Sequence, residues 1–265
     1  MQISEILLSA QKSIPRLDAE VLLADFLKKS RVWLITHNKT EIENFAEFWE
    51  LVKQRKSGKS VAAILGKKEF YGLEFAVDEN VLIPRCETEI LVEEILQLKP
   101  SSLLDVGCGS GCIAIAVAKN LPACEVSACD ISSAALAIAK QNAENHAVNI
   151  NFFQSDLLEN STASYEIIAA NLPYISLDSP FIQPSVKEFE PHLALFGGGD
   201  GLELILKLLQ QITTLPVFPR YILLEIGIHQ AKELEKFIPT LFPTAKVEFI
   251  SDLQNIKRVC KISLK

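Results

Sequence analysis

The chain has 265 residues, 49% of them hydrophobic and 22% charged, with a formal net charge of −7. This is globular composition with enough apolar material for a sizeable core, on a length that favours two domains over one. No apolar run reaches the ~20 residues of a membrane-spanning helix, and an acidic chain lacks the basic body of a typical nucleic-acid binder.

The N-terminus, MQISEILLSAQKS, brings Glu5 early and has no Arg before Arg16. It fits neither a secretory leader nor a transit peptide, and a cytoplasmic location is the expectation. Residues 1–66 read as a small helical bundle, with Leu7, Leu8, Leu17, Val21, Leu22 and Phe26 at helical spacing. In NKTEIENFAEFWELVKQRK, Ile42, Phe45, Phe48, Trp49 and Val52 form one stripe. Thr40 is the expected N-cap, Glu43 completes a capping box, and Gly58 ends the helix. The nearby Lys53, Arg55, Lys56 and Lys59 could touch phosphate, but a solvated helix end is the simpler reading.

Residues 67–85 change character. Apolar residues alternate around Gly72, which predicts a β-hairpin linker turning near Tyr71–Leu73. From Ser101 on, strands and helices alternate: SLLDVG, CEVSACD, INFFQSD, YEIIAAN and RYILLEIG as strands, with helices between most of them. KVEFIS and RVCKISL close the chain as an antiparallel edge hairpin. The pattern predicts a mostly parallel, Rossmann-like α/β sheet over residues 86–265 with helices on both faces. Cysteines 86, 108, 112, 124, 129 and 260 contain no Cys-x-x-Cys pair, and no histidine stands near them at zinc-ligand spacing. They read as free thiols, and no metal is expected.

Gly107, Gly109 and Gly111 follow a strand and open a helix, so the backbone can approach a ligand closely, with exposed amides that favour a negative group. A tight turn would explain one glycine but not three. The dinucleotide fingerprint needs glycine where this chain has Cys112. Asp105, Asp130 and Asp156 stand at the ends of consecutive strands, with Asp130 placed to hold ribose hydroxyls and Asp156 to accept from an adenine amino group. Acidic strand ends without a basic pocket suit a nucleoside bearing a cationic centre, so S-adenosyl-L-methionine fits better than NAD.

After the strand YEIIAAN comes Asn171-Leu172-Pro173-Tyr174. Asn and Pro alone would be ordinary turn residues. Together with Tyr they can clamp a planar NH2 group. Asn171 Oδ1 accepts one proton, the carbonyl of Leu172 the other, Pro173 fixes the turn and the Tyr174 ring stacks on the flat π-system. Adenine and glutamine share that chemistry, so the tetrapeptide does not choose between them.

Residues 101–174 resemble class I S-adenosylmethionine-dependent methyltransferases. The resemblance puts Gly107, Cys108, Gly109, Ser110 and Gly111 against the methionine part, Asp130 on the ribose and Asp156 with Leu157 on the adenine. Asn171 counts among the cofactor-contacting residues, and the product is S-adenosyl-L-homocysteine. The flanking FYGLEFAVDENVLIPRCETEILVE (70–93), FEPHLALFGGGDGL (189–202), LLEIGIHQ (223–230), Asp252 and Arg258 resemble the HemK/PrmC family of protein-(glutamine-N5) methyltransferases. The small helical domain ahead of the catalytic one also fits. Departures are Cys86 for the second Pro of I-P-R-P-E-T-E and Leu172 for the first Pro of N-P-P-Y. The resemblance implies that Asn171, Leu172, Pro173 and Tyr174 hold the glutamine of the Gly-Gly-Gln loop of peptide chain release factors. The bundle would grip the factor, and the chain would act as a monomer without membrane or direct nucleic-acid contact. A nucleic-acid adenine-N6 methyltransferase, for which N-L-P-Y is a common spelling, and a cofactor binder without turnover are the alternatives.

Overall fold

The computed structural model describes residues 1–179 and 182–264. Two compact units emerge, one of Met1–Lys67 with Gln183–Phe189, the other of Lys68–Ile182 with Glu190–Lys265.

The first unit holds α1 (Ile3–Ala10), α2 (Arg16–Phe26), α3 (Arg31–Thr36), α4 (Ala46–Lys56) and α5 (Val61–Leu65). Ile3, Ile6 and Ala10 recur every three or four residues on α1 and meet Leu22, Leu23, Leu34 and Phe48 in one core. Leu8 and Leu17, expected in that stripe, are 64% and 53% exposed. Each stands two positions from a buried residue, Ile6 or Ala19, and two positions is half a turn. The N-cap expected at Thr40 is also absent. Residues 38–42 are tied to the chain start instead: Ser4 N donates to Asn38 O (2.9 Å), Ile3 N to Thr40 O (3.0 Å) and Ile42 N to Met1 O (2.9 Å). Three backbone bonds outweigh a cap of about 1 kcal/mol, so α4 starts only at Ala46. In the basic cluster, Arg55 is taken up by Asp18 at 2.6 Å.

From Lys68 the chain is in the second unit, which begins within β1 (Lys67–Phe70), and β1 pairs with β2 (Leu73–Ala76) in a hairpin turning through Tyr71 and Gly72, both at positive φ. A 3₁₀ turn, Cys86–Thr88, leads into α6 (Glu89–Leu98). There follow β3 (Ser102–Val106), α7 (Cys112–Asn120), β4 (Glu125–Asp130), α8 (Ser133–Asn145), β5 (Asn151–Gln154) and β6 (Ile167–Ala170). After β6 come α9 (Pro184–Phe189), which belongs to the first unit, and a short 3₁₀ turn, His192–Ala194. The chain closes with α10 (Glu203–Ile212), β7 (Tyr221–Glu225), α11 (Ala231–Leu241), β8 (Lys246–Ser251) and β9 (Lys257–Ser263).

The sheet order is β5-β4-β3-β6-β7-β9-β8. The first five strands are parallel, and β9 runs antiparallel to both β7 and β8. Every residue of β6 is buried, as a strand covered on both faces requires. On α10 the apolar Ile205, Leu208, Leu209 and Ile212 face that core. The order reverses where β3 lies beside β6. Loops leaving adjacent strands at such a reversal diverge, and ligands enter the crevice at the strands' C-terminal ends. The glycine loop leaves β3 and Asn171–Tyr174 leaves β6, so the topology puts the two sequence signals side by side.

Candidate active site

A cavity of about 360 Å³ opens at this crevice, and Gly107, Cys108, Gly109, Ser110, Asp130, Asp156, Leu157, Asn171, Leu172 and Pro173 all line it. Gly111 and Tyr174, expected with them, do not. Gly111 is the N-cap of α7, and a Cβ there would stand 3.1 Å from both Ala139 Cβ and Ile115 Cδ1. It is a helix-packing glycine, set back from the cavity. Tyr174 is drawn away by its hydroxyl, which donates to Glu225 Oε1 at 3.1 Å.

The glycine loop is folded on itself. Gly107 N and Cys108 N both donate to Cys129 O (2.8 and 3.0 Å), Gly111 N to Cys108 O (2.8 Å) and Gly109 N to Asp130 Oδ2 (2.9 Å). The expectation of free amides for a negative group therefore fails at these four positions, because β4 supplies three of the acceptors and the loop's own Cys108 carbonyl the fourth. The loop offers shape in place of positive charge. At Gly107, with φ of +72°, a Cβ would fall 2.9 Å from Leu172 Cδ2. Leu172 is thus the buried plug between the glycine loop and the turn after β6, which gives its side chain a packing role.

Asp130 follows β4 into the cavity. Each of its oxygens accepts one backbone N–H, Oδ2 from Gly109 and Oδ1 from Ser132 (both 2.9 Å), leaving lone pairs for two further donors. Burial pushes its carboxyl upward, and the amides of Ser132 and Gly109 pull it back. Asp156 stands just past β5, where Lys207 Nζ meets its Oδ2 at 2.6 Å. One oxygen of that carboxylate is therefore engaged and the other is left. Asp105, grouped with these two by sequence, points inward: Oδ2 accepts from Ala114 N at 3.2 Å, Oδ1 has no partner, and burial raises its carboxyl to about 7. It is a core residue beneath the loop.

Asn171 is held by a residue that the sequence reading passed over. Its Nδ2 donates to Thr88 Oγ1 at 3.0 Å, and its Oδ1 meets no donor among the described residues. Thr88 is buried at the end of the Cys86–Thr88 turn. Cys86 opens that turn, where a backbone N–H lacks an intrahelical acceptor in any case, so Pro and Cys serve alike there. Glu225, at the end of β7, is only 1% exposed. Burial pushes its carboxyl up, and the Thr88 and Tyr174 hydroxyls and Arg258 pull it down.

The segments singled out by resemblance meet here. Arg85 pairs with the buried Glu190 at 2.6 Å, joining IPR to FEPH. Gln230 Nε2 donates to Tyr174 O (3.1 Å) and Gly201 O (3.0 Å), while its Oε1 accepts from Gly227 N (2.8 Å). Cβ atoms at Gly197 and Gly201 would collide with the carbonyls of Pro173 and Tyr174. The run FGGGDG is therefore the close backing of the Asn171–Tyr174 turn.

Residues 1–66 match the PrmC N-terminal domain family and residues 86–180 the Methyltransferase small domain family. A release factor glutamine methyltransferase of Koribacter versatilis is 37% identical over 260 residues, which cover 95% of this chain and 92% of that one. The chain belongs to the release factor glutamine methyltransferase family. Another member, from Rhodopirellula baltica, is 45% identical over 74% of this chain and 71% of its own. Among solved structures, the ribosomal protein L11 methylase of Lactobacillus delbrueckii superposes with a TM-score of 0.53 at 21% identity, covering 71% of this chain and 83% of that one. The N-terminal domain of human METTL16, in complex with SAH, gives 0.54 at 17%, covering 80% and 84%. At such identities they speak for the fold alone, the class I S-adenosylmethionine-dependent methyltransferase fold anticipated from the sequence.

The cavity of this release factor glutamine methyltransferase family member fits the cofactor of that fold. Asp130 has lone pairs to spare for a ribose diol, four of the loop's five amides are already engaged and so are not offered to a pyrophosphate, and the acidic groups suit a cationic sulfonium. Sequence reasoning missed Thr88, Glu225, Lys207 and Gln230. The available signal was positional: Glu225 is an acid closing a wholly apolar strand, YILLE, where no charge belongs without a task.

Proposed function

We propose that this chain transfers a methyl group to N5 of the glutamine in the Gly-Gly-Gln loop of a peptide chain release factor. Bound in the cavity, S-adenosyl-L-methionine supplies an electrophilic methyl on a sulfonium and leaves as S-adenosyl-L-homocysteine. Asp130 holds the ribose, Asp156 with Leu157 the adenine, and Gly107–Ser110 the methionine part. The observation that carries the reading is Asn171: its NH2 is held by Thr88 while its Oδ1 is unclaimed at the cavity wall. A side chain so fixed is an acceptor, and it suits a substrate that presents N–H. Asn171 Oδ1 and the carbonyl of Leu172 take the two amide protons, which aims the nitrogen lone pair at the methyl carbon. The N–C bond forms as the C–S bond breaks, and the methylated nitrogen sheds a proton to solvent. Positioning a weak nucleophile in this way replaces a dedicated base. We assign residues 1–66 to holding the body of the factor, 67–85 to the linker and 86–265 to catalysis.

The test offers labelled cofactor with purified release factors and, separately, with ribosomal RNA and DNA, and locates the label by mass spectrometry. One methyl on the Gly-Gly-Gln glutamine is expected. Label in nucleic acid alone would overturn the assignment. Asn171→Ala should cut kcat by ~10²-fold or more, the scale of losing a positioned hydrogen-bonding group, with cofactor affinity little changed.

A further inference from the structure

A buried hydroxyl and a buried carboxylate oxygen both lack a partner beside the clamp. Thr88 Oγ1 accepts from Asn171 Nδ2, so its own O–H must point elsewhere. No acceptor within hydrogen-bond distance engages it among the described residues, and Thr88, although at the cavity wall, is only 1% exposed. Next to it stands Glu225, whose carboxyl feels the Thr88 hydroxyl, whose Oε1 takes the Tyr174 hydroxyl and whose buried Oε2 has no partner within hydrogen-bond distance among the described residues. The two orphans answer one another, although they stop short of full hydrogen-bond geometry.

We propose that Glu225 and Thr88 are positioning residues that lock the flip state of the Asn171 amide. In this arrangement the Glu225 carboxyl accepts at both oxygens, Oε1 from Tyr174 and Oε2 from the Thr88 hydroxyl. That leaves Thr88 Oγ1 as an acceptor, which admits only the NH2 end of Asn171 and turns Oδ1 to the substrate. If the Thr88 proton pointed at Asn171 instead, the amide would turn over. Two donors would then face the two N–H groups of a glutamine, a mismatch of like with like. The same carboxylate anchors Tyr174, so one buried group orients both ends of the Asn171–Tyr174 turn. The inference rests on the glutamine reading for its catalytic consequence, but the orientation of Asn171 is a property of the protein itself.

Three variants and two kinds of readout test it. Thr88→Val keeps the shape and removes the hydroxyl. Glu225→Gln keeps the shape but supplies an NH2 that can donate to Thr88, freeing the Thr88 proton for Asn171. Thr88→Ser keeps the hydroxyl. Thr88→Val and Glu225→Gln should each lower kcat by ~10²-fold, with KM and cofactor Kd within about threefold, and Thr88→Ser should recover most of the rate. Independently of turnover, the side-chain NH2 signal of Asn171 in ¹⁵N-asparagine-labelled protein, assigned by its loss in Asn171→Ala, should shift in Thr88→Val and Glu225→Gln but not in Thr88→Ser. An unmoved signal in both variants, or a kcat within about threefold of wild type for both, overturns the lock. Should Thr88→Val fail to fold, as read by circular dichroism, Thr88→Ala and Glu225→Gln decide by the same readouts. If the wild type methylates no release factor, the substrate reading falls while the resonance still decides the lock.

Discussion

Asp105 shows how far a single residue can be from what its neighbours in sequence suggest. It pairs with Ala128, two residues short of the Asp130 level on β4, so it shares the face of Asp130 but lies deeper in the sheet, under the glycine loop. There one oxygen meets Ala114 N and the other meets no donor among the described residues. Burial first, and the nearby Asp130 second, raise its carboxyl from 3.8 to about 7. A raised folded-state value means that the folded protein binds the proton more tightly than the unfolded chain. The stabilisation is complete below 3.8 and is lost as pH rises through about 7. A displacement of that size corresponds to about 4 kcal/mol. Asp105→Asn has no such proton to lose. In urea unfolding without cofactor, the stability of wild type relative to Asp105→Asn should therefore fall by about 4 kcal/mol between pH 4 and pH 8. A difference that stays constant with pH would show that Asp105 is not the buried acid described here.

Among the elements, those with continuous apolar runs were legible and those decided by distant partners were not. SLLDVG and YEIIAAN read as buried strands from their apolar runs, whereas their adjacency, across two intervening strands in the sequence, is set by the sheet order. The helix start at Thr40 was misread because Met1, Ile3 and Ser4 claim that segment through bonds that span the whole bundle. The glycines of FGGGDG were legible by resemblance, but their purpose was not, since it lies in carbonyls more than twenty positions earlier. That purpose makes a prediction about the loop as a unit. Gly201 has φ of +78° and backs the Tyr174 carbonyl so closely that a Cβ must push it aside. Gly201→Ala should move the Asn171–Tyr174 turn and leave the glycine loop where it is. Expected is a kcat loss of ~10-fold or more with cofactor affinity within about twofold, a split that methyl-transfer kinetics beside calorimetric titration would reveal. Equal losses in both would mean that the segment supports the whole cavity rather than the clamp.

For the whole molecule, the proposed function gives catalysis and recognition to different parts of the chain. All the residues lining the cavity belong to the second unit, so the chemistry needs nothing from α1 to α5. What the first unit has to offer is surface. Val32 and Ile35 on α3 are 68% and 62% exposed, one turn apart and therefore on one face. Their helix is fixed in place by the Ser30 cap on Trp33 N at 3.1 Å and by Leu34 in the core, so the face is presented rigidly. Apolar anchors on a rigid element are what a protein substrate would engage and a short peptide would not. The variant Val32→Asp/Ile35→Asp should raise KM for an intact release factor by ~10-fold or more. Its kcat, and its kcat/KM on a peptide carrying only Gly-Gly-Gln, should match wild type. Equal damage on peptide and protein would place the effect in the stability of the bundle. No effect on either would move the docking surface off α3, to another face of residues 1–66 or out of that unit.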